Sequence, residues 1–201
     1  MWRRVRFSLL TAVWALVGLS GCGDDRPDSE VPPISPSASN TAPPASPSAP
    51  VIAPAAGSTT EVSVPRTEAL THLKGVGAEV AGGGDRVTFE FDGPAPPGYS
   101  IGYTAQPLST GEGNQTLVLS GGATLRLLFD RASGVDLSRG FRQTYNGPPR
   151  LSPSDAQSVV ELARVSDNEG QLIWAIGTRD RRNFLVTALA SPTRIVIDFP
   201  N

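Results

Sequence analysis

Apolar and polar residues alternate along most of the C-terminal two thirds of the chain. Val87, Phe89 and Phe91 fall on one face of segment 86–92, opposite polar side chains. Such a period of two is typical of β-strands with one buried and one wet face. The pattern recurs in four further groups: Leu125, Leu127 and Phe129; Leu172, Trp174 and Ile176; Phe184, Val186 and Ala188; Ile195, Ile197 and Phe199.

Turn-forming residues separate these alternating segments at short intervals. They are Gly82-Gly83-Gly84-Asp85, Gly121-Gly122, Thr178-Arg179-Asp180-Arg181 and Ser191-Pro192. Each sequence is typical of a tight turn or a hairpin. Residues 67–201 therefore predict one all-β domain of seven to nine short strands, a β-sandwich or small barrel.

Two segments depart from the strand pattern. Ser152-Pro153-Ser154-Asp155 resembles a helix N-cap, so we expect a short helical turn there, followed by a strand over 158–165. The segment from Asp130 to Leu151 is polar and rich in Gly and Pro. At about 20 residues it is long for a structureless connection, and such loops are often functional or mobile.

Composition changes sharply before the predicted domain. Residues 23–66 are rich in Pro, Ser, Ala and Thr and contain no aromatic residue. Such a segment buries too little apolar surface to offset its ordering entropy. We therefore predict that residues 22–66 are a disordered tether, with an end-to-end distance of about 35–40 Å as a flexible coil and about 130 Å as polyproline.

The N-terminus has the three parts of an export signal. Three arginines precede an apolar run from Phe7 to Leu19, and the small residues Ser20 and Gly21 precede Cys22. The run is about 13 residues long, whereas a spanning helix needs about 20. We predict that residues 1–21 are a lipoprotein signal peptide, cleaved between Gly21 and Cys22, with the Cys22 thiol diacylated.

Lipidation of Cys22 would determine where the protein resides. Each buried methylene contributes about 0.8 kcal/mol, so two acyl chains of the palmitate type anchor a protein stably where one would be marginal. Cys22 is the only cysteine in the chain, so no disulfide framework is expected. The predicted localisation is the extracytoplasmic face of the cell membrane.

Charge and residue inventory argue against several functions. The chain has 17 basic and 19 acidic side chains, and loss of Arg3, Arg4 and Arg6 with the signal peptide leaves 14 against 19, a net charge of −5. That balance gives no basic surface of the kind that binds nucleic acid.

The residues needed for catalysis or metal binding are scarce. His72 is the only histidine, and the sequence has no glycine-elbow serine motif and no zinc- or calcium-binding motif. We expect no enzyme activity, metal or cofactor.

The candidate binding residues are Arg179, Arg181 and Arg182, at a predicted hairpin tip beside Trp174. Guanidinium groups bind carboxylates and aromatic rings stack on sugars, so the group suggests an edge that binds anions or glycans. A solvated turn that keeps the sheet end soluble explains the same residues. Three tyrosines would suit a carbohydrate surface or half-buried sheet positions equally: Tyr99, Tyr103 and Tyr145.

Several short motifs together resemble the AMIN-like domain of bacterial envelope lipoproteins. They are Asp85-Arg86-Val87-Thr88-Phe89-Glu90-Phe91, Pro97-Gly98-Tyr99-Ser100-Ile101-Gly102-Tyr103, Val159-Val160-Glu161-Leu162-Ala163-Arg164-Val165, Glu169-Gly170-Gln171-Leu172-Ile173-Trp174-Ala175-Ile176-Gly177, Arg182-Asn183-Phe184-Leu185-Val186 and Ser191-Pro192-Thr193-Arg194-Ile195-Val196-Ile197-Asp198-Phe199. The resemblance implies a β-sandwich related to domains that localise cell-wall amidases and secretin pores, in some cases through peptidoglycan. Those domains are not catalytic, and the resemblance assigns no binding residues.

Three functions follow as expectations. The first is a membrane-tethered, non-enzymatic module that contacts peptidoglycan or an envelope protein. The second is a carrier or sensor that holds a small apolar or lipid ligand between its sheets. The third is a small hydrolase, which would have to use His72.

The Cys22 prediction can be checked by mass spectrometry of the native protein. We expect the mature chain to begin at Cys22 and its N-terminal peptide to carry a diacylglyceryl group on the thiol. An unmodified Cys22 in the native protein would contradict lipoprotein processing.

Overall fold

The computed structural model describes residues 57–110, 115–138 and 140–201. The predicted signal peptide, Cys22 and the tether as far as residue 56 lie outside the described residues. Within the described ranges the regular elements are all strands. They are β1 (Val62–Val64), β2 (Thr71–Ala81), β3 (Gly84–Asp92), β4 (Gly98–Thr104), β5 (Leu108–Ser109), β6 (Thr116–Leu117), β7 (Ala123–Asp130), β8 (Ala132–Ser133), β9 (Val135–Asp136), β10 (Arg142–Gln143), β11 (Arg150–Leu151), β12 (Val159–Asn168), β13 (Gln171–Thr178), β14 (Leu185–Ala190) and β15 (Thr193–Pro200).

Most strands belong to two sheets that pack as a β-sandwich. The first sheet has six strands in the order β1-β4-β7-β13-β12-β11, and the second has five in the order β14-β15-β3-β2-β8. Neighbours are antiparallel except for the parallel pair β2 and β8. Two small ribbons, β9 with β10 and β5 with β6, complete the topology. The predicted all-β sandwich is confirmed.

The core lies between the two sheets and includes most of the predicted alternating residues. Phe89 of β3 is fully buried, with its ring centroid 5.0 Å from that of Phe129 in β7 and 5.7 Å from that of Trp174 in β13. Burial of one large apolar side chain contributes about 1.5–3 kcal/mol. These contacts join the sheets through aromatic rings in tilted and edge-on arrangements.

The predicted alternation fades along β14. Phe184 is buried and Val186 packs partly against the core, but Ala188 is exposed. The reason is the position of β14 at the outer edge of the five-stranded sheet, where only β15 pairs with it. The strand prediction is confirmed there, whereas its buried face ends after Val186.

The hairpin between β2 and β3 uses the predicted glycine turn. Gly82 and Gly83 have φ angles of +63° and +84°, so both occupy the left-handed region. Two central residues with positive φ match the twist of an antiparallel pair, and glycine adopts this conformation without steric cost. The turn directs β3 back along β2 and places Asp85 at the start of the core.

A buried carboxylate connects the two sheets. Asp85 in β3 is 1% exposed and accepts backbone N–H groups from Gln157 at 2.9 Å, Ser158 at 2.6 Å and Val159 at 2.8 Å. Three hydrogen bonds to an ionised acceptor compensate for its removal from water. They also hold the chain extended as it enters β12.

This arrangement corrects the expected helical turn at residues 152–155. The segment from 152 to 158 contains bends and no helix. A helical turn would direct the following N–H groups along its own axis, whereas here those of residues 157–159 point to Asp85. The strand predicted over 158–165 is present and extends from Val159 to Asn168.

The long segment between β7 and β12 is held by hydrogen bonds. Four short strands, β8 to β11, lie within it. The Gly134 N–H donates to Asp167 Oδ2 at 2.8 Å, and the Gly134 carbonyl accepts the N–H groups of Thr144 at 2.8 Å and Tyr145 at 3.2 Å. The β9–β10 ribbon is therefore attached to the sandwich through its base.

The domain begins before the predicted boundary at residue 67. Val62–Val64 forms β1, which pairs with β4 and places Val62 opposite Ile101. The Ser100 hydroxyl donates to Glu61 Oε1 at 2.9 Å, and Val62 packs against the core. Residues 58–66 were predicted as tether because their segment is rich in Pro, Ser, Ala and Thr, but residues 62–64 pair with β4 and so satisfy their backbone.

We expect Asp85→Asn to lower the free energy of unfolding by about 2–3 kcal/mol. The amide loses the charge and turns an N–H group toward at least one of three backbone donors. Urea denaturation measures the effect. Asp155→Asn is the matched control, because Asp155 is exposed and, among the described residues, accepts only the neighbouring Ser154 hydroxyl. It should change stability by less than about 0.5 kcal/mol. Equal stabilities of the two variants would contradict the role given to Asp85.

Candidate functional site

The predicted arginines lie on a connection between the two sheets. Strand β13 ends at Thr178 in the six-stranded sheet, and β14 begins at Leu185 in the five-stranded sheet. Residues 179–184, called the crossover here, pass from one sheet to the other at one end of the sandwich. The expectation of a hairpin tip at this point is wrong, because its two flanking strands do not pair.

Tyr103 fixes the backbone of the crossover. Its hydroxyl donates to the Arg182 carbonyl at 2.8 Å and accepts the Arg182 N–H at 3.0 Å. The Tyr103 ring also lies edge-on to Phe184, with centroids 5.9 Å apart. Phe184 is buried, so the crossover is attached to the core at its end and to β4 in its middle.

The segment held by Asp85 supplies a second attachment. The Ser158 carbonyl accepts the Arg179 N–H at 2.9 Å, and the Gln157 carbonyl accepts Arg179 Nε at 2.5 Å. The Ser158 hydroxyl accepts a hydrogen bond from Arg182 Nη1. Asp85 binds the N–H groups of Ser158 and Val159, which share their peptide planes with the Gln157 and Ser158 carbonyls, so it orients the carbonyls that accept Arg179.

The three arginines differ in what they can offer a ligand. Arg182 is partly buried and its guanidinium binds Ser158 and Asp180. Arg181 is exposed and its guanidinium carbon lies 4.9 Å from the centroid of the Tyr103 ring, a cation–π contact. Arg179 is also exposed. Arg179 and Arg181 therefore present donors to solvent, whereas Arg182 is structural.

Asp180 balances part of this charge. Its Oδ1 accepts Arg182 Nε at 3.0 Å, and this hydrogen bond lowers the pKa of the exposed Asp180 carboxyl below its ordinary value of 3.8. Since the folded-state pKa is depressed, the contribution of the pair is present above pH 3.8 and is lost as the pH falls through the lowered pKa. At neutral pH the crossover carries three guanidinium charges and one carboxylate.

Trp174 does not form part of this surface. The prediction that it stands beside the arginines at an exposed edge is wrong, because its side chain is 0% exposed and packs between Phe89 and Tyr145. Strand alternation directs Trp174 into the core with Leu172 and Ile176. The aromatic ring beside the arginines belongs to Tyr103, which is 79 residues away from Arg182 in the sequence.

His72 lies near two carboxylates away from the crossover. Its Nδ1 is 3.2 Å from Asp92 Oδ1, and its Nε2 is 3.8 Å from Asp136 Oδ1. The Ser138 hydroxyl donates to Asp136 at 2.6 Å rather than to His72, so these residues do not form a Ser-His-Asp relay. Among the described residues no three His, Cys, Asp or Glu side chains are grouped to hold a metal ion.

A cavity of about 470 Å³ lies outside the sandwich. It is open and is lined by Ser109, Ser166, Asn168, Glu169, Gln171 and Ile173, on the outer face of the six-stranded sheet. The space between the sheets, by contrast, is filled by the aromatic and aliphatic core. A filled core counts against a ligand held between the sheets.

Comparison with known proteins gives one match. The family model described as the AMIN-like domain matches residues 71–201, from the first residue of β2 through β15. No curated protein and no solved structure matches the chain. Across the part of the chain that the structure describes, no helix is both long and apolar enough to span a membrane.

We expect Tyr103→Phe to destabilise the protein by about 1–3 kcal/mol, because it leaves the Arg182 N–H and carbonyl without their partner. Thermal or urea unfolding measures this change. Tyr99→Phe is the control, since among the described residues the Tyr99 hydroxyl makes no hydrogen bond, and burial alone raises its pKa. The assignment fails if the two variants lose equal stability.

Proposed function

This chain belongs to the AMIN-like domain family, and from that premise we propose that it is a non-enzymatic binding module of the bacterial cell envelope. In this proposal Cys22 carries the lipid anchor, residues 23–56 form the tether, and the sandwich contacts peptidoglycan. The observation that supports a binding surface is the pair of exposed guanidinium groups, Arg179 and Arg181, held at one end of the sandwich.

The chemistry of the crossover suits peptidoglycan. The polymer has carboxylates on its peptide stems and hydroxyl groups on its sugars, and guanidinium groups bind carboxylates through paired hydrogen bonds. Tyr103 holds Arg181 in place, so less conformational freedom is lost when an anion binds. The crossover therefore offers two preoriented cations to an anionic polymer.

The expected strength of each contact is low. An exposed ion pair contributes about 0–1 kcal/mol, so two arginines alone give weak binding. Many copies tethered to one membrane would meet many repeats of one polymer, and simultaneous contacts raise the overall affinity by about 10²–10⁴-fold. Weak individual binding is therefore compatible with a stable position in the envelope.

A protein partner is the second candidate, and β14 is the observation that favours it. Leu185–Ala190 stands at the edge of the five-stranded sheet and contains no charged residue. Edge strands without charge are suitable for the addition of a strand from another chain. Crosslinking in the native envelope, followed by identification of the attached molecule, distinguishes this candidate from glycan binding.

We expect the chain from residue 22 to 201 to sediment with purified peptidoglycan, and Arg179→Ser with Arg181→Ser to reduce the bound fraction by roughly 2–10-fold. Retention should also fall as salt is added, because exposed charges are screened. Arg66→Ser with Lys74→Ser is the control, since it removes the same charge from exposed positions elsewhere.

Two results would count against glycan binding through the crossover. Failure of the unaltered chain to sediment would reject peptidoglycan as the ligand. Equal losses in the two double variants would show that net charge, and not the crossover, determines retention.

A further inference from the structure

The β9–β10 ribbon exposes two large apolar side chains at its end. Leu137 is 66% exposed and Phe141 is 77% exposed, and the cation of Arg142 follows directly. We call Leu137, Phe141 and Arg142 the tip. Phe141 has a φ of +63°, in the left-handed region that bulky residues rarely adopt. Phe141 is therefore held in a disfavoured conformation that keeps its ring in water.

The base of the ribbon holds the tip outward. Asp136 is 7% exposed, and its Oδ1 accepts the Ser138 N–H at 2.9 Å and the Ser138 hydroxyl at 2.6 Å. The Val135 N–H donates to the Ser133 hydroxyl at 3.0 Å. Below it, the Tyr145 ring packs edge-on against Trp174, with centroids 5.6 Å apart. The exposed position of the tip thus follows from a bonded ribbon attached to the core.

This conformation does not contribute to the core. Phe141 leaves most of its apolar surface in water, and its positive φ adds local strain. Such features are found where a ligand or surface compensates for them. The tip combines two exposed apolar side chains with a neighbouring cation, Arg142. The interface of a bilayer binds both kinds of group, because apolar side chains enter below the headgroups and cations contact anionic lipids.

We propose that the tip inserts into the interfacial region of an anionic lipid bilayer. Leu137 and Phe141 would enter the region between headgroups and acyl chains, and Arg142 would contact anionic headgroups. Asp136, the acid of the ribbon, is turned inward onto Ser138 and does not oppose this contact. The inference rests on the membrane tether of the proposed function, because two apolar side chains alone bind a bilayer weakly.

The tether would keep the tip close to the bilayer. A flexible link raises the effective concentration of the tip at the bilayer to about the millimolar range. Roughly 35 residues separate Cys22 from Gly57, which gives a coil of about 30–35 Å. Strands of eight residues span about 27 Å, so the tether is long enough to pass the height of the sandwich.

The tether has to run along the full height of the sandwich, because the tip and the residue at which the tether joins the domain lie at opposite ends of it. Ser58 exchanges backbone hydrogen bonds with Phe184, at the crossover beyond Thr178. The segment leading to the tip joins the other end of β13, where the Ala132 N–H donates to the Gly170 carbonyl at 2.9 Å. Insertion of the tip would therefore turn the crossover away from the bilayer, toward the cell wall.

The composition of the chain permits a direct test. Cys22 is the only cysteine, so a lipid with a thiol-reactive headgroup can be coupled there in the chain from 22 to 201, which contains every described residue. Trp174 is the only tryptophan in that chain and is fully buried. Phe141→Trp therefore adds a single exposed reporter that brominated acyl chains quench only if it enters the bilayer.

The reporter is measured on vesicles of about three parts phosphatidylcholine to one part phosphatidylglycerol, and on phosphatidylcholine alone. We expect a blue shift and quenching by brominated chains on the anionic vesicles. Leu137→Ser in the same chain should roughly halve the quenching, and Arg142→Ser should remove the dependence on phosphatidylglycerol. Val118→Trp is the matched control, since Val118 is 61% exposed outside the tip, and it should stay unquenched.

Absence of quenching in Phe141→Trp, or quenching equal to that in Val118→Trp, would overturn the proposal. A tip that docks into a protein would give the first of these results. Chemical coupling at Cys22 makes this outcome independent of natural lipidation and of peptidoglycan sedimentation. The experiment therefore distinguishes a failure of bilayer insertion by the tip from a failure of the proposed peptidoglycan binding.

Discussion

The structure depends on a buried anion, the Asp85 carboxylate, which three backbone N–H groups bind between the sheets. Removing a carboxylate from water costs free energy unless hydrogen-bond donors replace the water. The segment that supplies these donors can therefore take few other conformations. The need for donors places residues 157–159 against β3, and β12 begins there in an extended conformation. The same peptides then turn their carbonyls outward, and Gln157 and Ser158 receive Arg179. One buried charge thus determines both the closure of the sandwich and the position of a surface cation.

The two ends of the sandwich carry different chemistry. The crossover end is cationic and fixed by Tyr103, whereas the opposite end has an apolar tip on a ribbon attached through Gly134 and Tyr145. Neither feature requires a concave pocket. Both present exposed side chains, to a polymer in one proposal and to a bilayer in the other. If both proposals hold, the domain would lie between the bilayer and the cell wall, with one end toward each.

The sequence predicts the features that depend on local periodicity. Alternation identified the buried residues of β3, β7, β13 and β15, and the glycines marked the turn between β2 and β3. It could not predict contacts between distant segments. Asp85 and Gln157 are 72 residues apart, and Tyr103 and Arg182 are 79 residues apart. For this reason the expected helical turn at 152–155 was wrong and β1 was taken for tether. The surface role given to Trp174 was wrong for a different reason, because the local alternation with Leu172 and Ile176 already placed its side chain in the core. Cys22 lies outside the described residues, and its lipidation remains a prediction.

The place of β15 in the sheet has a consequence for biogenesis. This strand, residues 193–200, lies between β14 and β3, and it pairs Asp198 with Arg86, 112 residues earlier. Until the ribosome has added these residues, β3 lacks one of its neighbours and Ile195, Ile197 and Phe199 are missing from the core. Pairing across such a long sequence separation is slow, because the entropy of loop closure must be overcome before the contact forms. The five-stranded sheet is therefore incomplete until the last residues are made. Under the proposed export, the chain would pass through an export channel before β15 joins this sheet, and the sandwich would close on the far side.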